Sequence, residues 1–173
     1  VGEGRSIRRA ARAAVALLAV VATAACADET TMGALRAEVA SVQPPSGWAA
    51  EGGVRYSCVG LNLDCQDAVA GLALTRGDTL EEACSSVAGW TQAAPQLVGP
   101  AAVSGAGDRS APDAAACGAE IRERGRWLVE AGSDGGNGLP ATARWSVLLR
   151  QDVGIWRLDI VLGDPPTPFA PAA

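Results

Sequence analysis

The side chains here that could act as nucleophile, metal ligand or proton carrier are cysteines and carboxylates. The thiols are Cys26, Cys58, Cys65, Cys84 and Cys117, and the chain has neither histidine nor lysine. Without imidazole there is no Ser-His-Asp or Cys-His arrangement. Without lysine there is no Ser-Lys dyad and no Schiff base. Zinc would need four thiolates, and the spacings C-x6-C, x18, C, x32, C lack the short C-x2–4-C knuckle of such sites. In an exported chain Cys58, Cys65, Cys84 and Cys117 are expected to pair as two disulfides. Three connectivities are open. Cys58–Cys65 and Cys84–Cys117 are favoured, because the first closes a tight loop and the second ties a helix to the segment that starts the following meander. Among carboxylates, Asp64 and Asp67 flank Cys65, and Glu81 and Glu82 are adjacent. Converging carboxylates serve glycoside hydrolysis or hard metal ions. These four suit turn and capping roles, so no catalytic residue and no metal site is expected. "GSDGGNG" (132–138) lacks the alternating acids and closing glutamate of a calcium loop. No glycine-rich phosphate loop is present, and no cofactor is expected.

Cys26 stands apart from the other thiols. "VGEGRSIRRAAR" carries Arg5, Arg8, Arg9 and Arg12, and "AAVALLAVVATAA" (13–25) follows without a charge. A basic segment, a short apolar run and small residues at its exit make a secretory signal peptide. The run is shorter than the ~20 residues a spanning helix requires. Two exits are open: "ATA", Ala22 to Ala24, fits an ordinary A-x-A cleavage site, and "TAAC", Thr23 to Cys26, resembles the lipobox of bacterial lipoproteins, with Thr23 where that family usually has Leu, Val or Ile. The resemblance implies that the Cys26 thiol receives a diacylglycerol and that cleavage falls before it. Lipidating Cys26 leaves an even set of four cysteines.

Four segments follow: a signal peptide at 1–25, a lipid-anchored tether at 26–47, a globular domain at 48–163 and a flexible proline-rich tail at 164–173. In the tether, Met32, Leu35, Val39 and Val42 recur at roughly helical spacing, so a short helix and a solvated linker are both open. In the body, "VRYSC" alternates as a strand does, and "AVAGLALTR" reads as a second strand. Thr79 and Glu82 form a capping box ahead of a helix over 79–92, with Leu80, Ala83, Cys84, Val87 and Trp90 on one face. Residues 95–116 read as a long loop. Asp113 to Arg124 fits either a helix ended at Gly125 or, the reading favoured here, part of a hairpin turning at Arg124-Gly125. "TARWSVLLRQ" and "GIWRLDIVL" make a hairpin. Trp145, Val147 and Leu149 alternate on its first strand and Trp156, Leu158, Ile160 and Leu162 on its second, while Arg157 and Asp159 face the other way.

The expected fold is α+β: a mainly antiparallel sheet of four to six strands, one principal amphipathic helix on one face, and two disulfides. The order of cysteines and strands over roughly residues 45–163 resembles small two-disulfide lipoproteins of actinobacteria, which implies a fold type and no chemistry. Removing residues 1–25 takes away four arginines and one acid and leaves a net charge of −8. An acidic body with no expected arginine cluster excludes nucleic acid as a partner and disfavours anionic headgroups. The expected function is a membrane-anchored, extracytoplasmic, non-catalytic binding module, held to the membrane by its N-terminal lipid. Its partner would be an envelope protein, a cell-wall component or a small apolar ligand. The alternatives are an envelope hydrolase using carboxylates and a lipid carrier with a cavity between helix and sheet.

Overall fold

The structure, a computed structural model, describes residues 31–59, 67–104, 108–135 and 138–164. Helix α1 spans 31–41. It is followed by β1 (Ala49–Ala50), β2 (Arg55–Val59), β3 (Asp67–Arg76), α2 (Leu80–Ala93), β4 (Leu97–Val103), β5 (Arg109–Ser110), α3 (Ala114–Arg124), β6 (Arg126–Ser133), β7 (Arg144–Asp152) and β8 (Ile155–Asp164). The strands form one antiparallel sheet in the order β1-β3-β8-β7-β6-β4-β5, with β2 also on β3. β1 pairs with the last residues of β3 and β2 with its first half. The two short strands thus share one edge, and eight strands fill seven positions. This exceeds the expected four to six.

Two sequence readings are corrected. Residues 95–116 hold strands β4 and β5 rather than a loop. "LVGPAAV" looks unlike a strand because Gly99 and Pro100 interrupt it. The register of β4 on β6 shifts at that point, as in a β-bulge, and pairing resumes beyond it. Residues 114–124 form α3 rather than half of a hairpin. Asp113 caps it by accepting from the Ala116 amide, and Gly125 closes it at φ 73°, a left-handed cap that glycine adopts without strain. α2 matches expectation, with both halves of the Thr79–Glu82 box formed.

The tether expectation for 26–47 is also revised in part. Leu35, Val39 and Val42 are buried in the main core cluster, with Met32 packed against it. The helical spacing therefore serves the body itself, which extends back to residue 31. Three helices, not one, supply the cluster. Leu35 and Val39 of α1, Cys84 and Val87 of α2, and Cys117 and Ile121 of α3 meet the inward side chains of the sheet. Cys84 and Cys117 are joined by a disulfide, which staples α2 to α3. Cys26 and Cys65 lie outside the described residues, as does the Cys58 side chain, so the expected Cys58–Cys65 bond and Cys26 lipidation fall there too. Among the described residues, no helix is long and apolar enough to cross a membrane.

Strand register sorts the side chains into two faces. Trp127, Val129, Trp145, Val147, Leu149, Trp156, Leu158, Ile160 and Leu162 are buried on the covered face. The opposite face carries Leu148 and Ala73, which are buried but stand outside the main cluster. No described helix packs on it. Register and ion pairing place six arginines there: Arg55, Arg109, Arg126, Arg144, Arg150 and Arg157. Five carboxylates accompany them by register or ion pairing: Glu51, Asp67, Glu130, Asp152 and Asp159. The expectation that no arginine cluster interrupts the acidic body is corrected here, because these arginines are scattered in sequence and converge only in the sheet. Strand alternation alone brings them together.

Candidate functional site

A concavity forms where the end of α1 meets α2. Pro44 and Pro45 cannot extend α1, since proline lacks the amide the next turn would use. The chain turns instead, and three hydrogen bonds fix the turn. The Trp90 indole N–H donates to the Gln43 carbonyl at 2.8 Å. The Trp48 indole donates to Ser86 Oγ at 3.2 Å. Arg76 Nη1 donates to the Ser46 carbonyl at 3.0 Å. Residues 43–48 are thus tied to both α2 and the end of β3. Between this segment and α2 runs a groove of about 790 Å³, lined among others by Glu38, Gln43, Pro45, Ser86, Trp90 and Asp134.

The groove is acidic and rigid. Its lining includes two carboxylates, Glu38 and Asp134, and no basic residue. Glu38 is only 5% exposed, so its carboxylate is held by the fold rather than moving freely in water. The Trp90 ring is partly buried with its N–H committed, which fixes the indole plane on one wall. Carboxylates beside an aromatic face favour a cationic group, since the ring quadrupole and the anions attract it together. Serine and glutamine on the remaining walls can donate or accept hydrogen bonds.

The carboxylates singled out in the sequence do not gather here. Glu81 is exposed and pairs with Arg122 of α3 at 2.7 Å. Glu82 accepts from the Thr79 hydroxyl at 2.8 Å and from the Thr79 amide at 3.1 Å. Those bonds from Thr79, the hydroxyl first, hold its carboxyl below the ordinary value. Neither residue lines the groove. Asp67 begins β3, and Asp64 lies outside the described residues. Among the described residues no group of three or more Cys, Asp or Glu side chains could hold a metal ion. Between helices and sheet, Trp127, Trp145 and Trp156 are buried, and none of them lines the groove.

Glu38, Trp90 and Asp134 were not read from the sequence as one site, because they come from three separate segments. The available signals were the Pro44-Pro45 pair after α1 and an indole at the helix end, whose N–H needs a partner when partly buried. Comparison with family models, with curated proteins and with solved structures found no match.

Proposed function

We propose that this chain is a lipid-anchored, extracytoplasmic binding module, non-catalytic, whose groove beside α2 receives a basic segment of an envelope partner. The observation that carries the reading is the groove itself: a preformed concavity that brings a fixed indole and two carboxylates together in one lining. Concave, largely preformed sites with a few convergent polar groups are where ligands bind by default. The signal-like residues 1–25 and Cys26 support the location. The Cys84–Cys117 bond is consistent with an oxidising compartment.

Calorimetry with an oligo-lysine peptide tests the groove. The native chain should bind it, and an oligo-glutamate peptide should not. Glu38→Gln and Trp90→Phe should each weaken binding by roughly five- to thirtyfold, the equivalent of about 1–2 kcal/mol. If both variants keep a native circular dichroism spectrum and bind as the parent does, the groove is not the site. The hydrolase alternative makes a different demand: one of Asp64, Asp67, Glu81 or Glu82 would prove indispensable to activity while the fold stayed intact.

A further inference from the structure

The β7–β8 hairpin ends in an apolar residue held where glycine or asparagine belongs. Asp152 pairs with Ile155, which leaves a two-residue loop of Val153 and Gly154. Both have positive φ, 44° for Val153 and 85° for Gly154. Loops of this kind favour Asn-Gly or Asp-Gly, and a β-branched residue there is strained. Val153 is also 99% exposed, so it contributes nothing to the core. Ile155, the first residue of β8, is a second exposed large apolar side chain, at 41%. Strain maintained without a folding benefit points to a use outside the core.

The second observation is the charge beside that tip. Register sets Arg126 opposite Arg150, and Arg150 opposite Arg157, on the open face. Adjacent strands lie about 4.8 Å apart, so the row spans roughly 10 Å. Like charges placed directly opposite are unfavourable. Asp159 lies 3.1 Å from Arg157 and 3.5 Å from Arg150, and Glu51 lies 3.2 Å from Arg157. Asp152 stands at the turn. Arg126 is exposed and has no ion pair among the described residues. The open face as a whole holds more arginines than described carboxylates, on a chain whose net charge is −5. The face beside the tip is therefore close to neutral rather than acidic, and its exposed, uncompensated charge is Arg126.

We infer that the hairpin tip and the Arg126–Arg150–Arg157 row form a contact surface for an anionic phospholipid bilayer. Val153 and Ile155 enter the interfacial region, the exposed Arg126 and the outer part of Arg150 meet headgroup phosphates, which a planar guanidinium fork binds well, and Arg157 stays paired with Glu51 and Asp159. An acidic protein would match the arginines but would leave the strained, exposed valine without a purpose. A bilayer uses both, since interfacial binding adds buried apolar surface to electrostatic attraction. The contact requires neither the groove's ligand nor a lipid on Cys26, so it stands or falls apart from the proposed function.

Amide hydrogen exchange on the full chain carrying Cys26→Ser tests it, with phosphatidylcholine vesicles and with the same vesicles containing phosphatidylglycerol. The local readout separates the tip from residues 1–25, whose own arginines and apolar run attract such vesicles. Residues 151–157 should exchange more slowly only with the anionic vesicles. Arg126→Gln should raise the lipid concentration needed for that protection about fivefold. Val153→Asn should raise that concentration too, while leaving the fold as stable or more so, because Asn-Gly suits the turn. Protection confined to residues 1–25, equal protection by both vesicles, or no response to either substitution would overturn the inference. Tip protection that rises with protein concentration alone would assign the face to a second copy and overturn it as well.

Discussion

Glu82 illustrates how single residues do local work here. Its carboxylate completes the cap of α2, and the Thr79 donors hold its pKa below the ordinary value. A group depressed in the folded state stabilises above its unfolded pKa, and that contribution disappears as pH falls through the folded value. Urea midpoints measured from neutral to acid pH should therefore decline in the native chain, and Glu82→Gln should flatten part of that decline. Thr79→Ala removes the cap hydroxyl and should cost about 1 kcal/mol. The Cys84–Cys117 bond acts through the unfolded chain. It closes a loop of 33 residues, worth about 3.7 kcal/mol in the chain-entropy treatment. Cys84→Ser/Cys117→Ser should lower the unfolding free energy by an amount of that order, read from denaturant titration. A loss well under 1 kcal/mol would mean that helix packing, not the staple, holds α2 to α3.

At the scale of elements, α1 is the helix of the two readings left open for this segment. If residues 31–41 were a tether, Leu35→Ala would be silent. Buried at 0% exposure, Leu35 should instead cost about 2–5 kcal/mol on truncation, visible as a lower thermal midpoint. How legible an element was depended on how much of its cause was local. α2 was legible because its cap, its acidic first turn and its apolar face all lie within one stretch. β7 and β8 were legible because large residues alternate without interruption. β4 was not, because Gly99 and Pro100 break its pattern and its pairing with β6 is a tertiary matter. α3 was ambiguous because "AEIRERGRWLVEAG" has strand-like residues on both sides of Gly125. The Asp113 cap and the left-handed glycine decide for a helix followed by β6. The groove was illegible as a site, since its lining comes from three segments that only the fold brings together. The arginine face was illegible because charge runs, and not alternation, are what reveal patches in a linear reading.

At the scale of the whole molecule, the parts divide the work. The helix layer carries the groove, and the open sheet face carries six of the ten described arginines. The proposed location is outside the cytoplasm on a lipid, where the Cys84–Cys117 bond would persist. It would give the groove an envelope partner and the sheet face a nearby bilayer. Mass spectrometry of the N-terminal peptide of the exported protein tests it most directly. The account predicts a mature chain that begins at Cys26 and carries the added mass of diacylglycerol. A chain that begins at Ala25, or one that keeps residues 1–25 in the cell interior with Cys84 and Cys117 reduced, would contradict it.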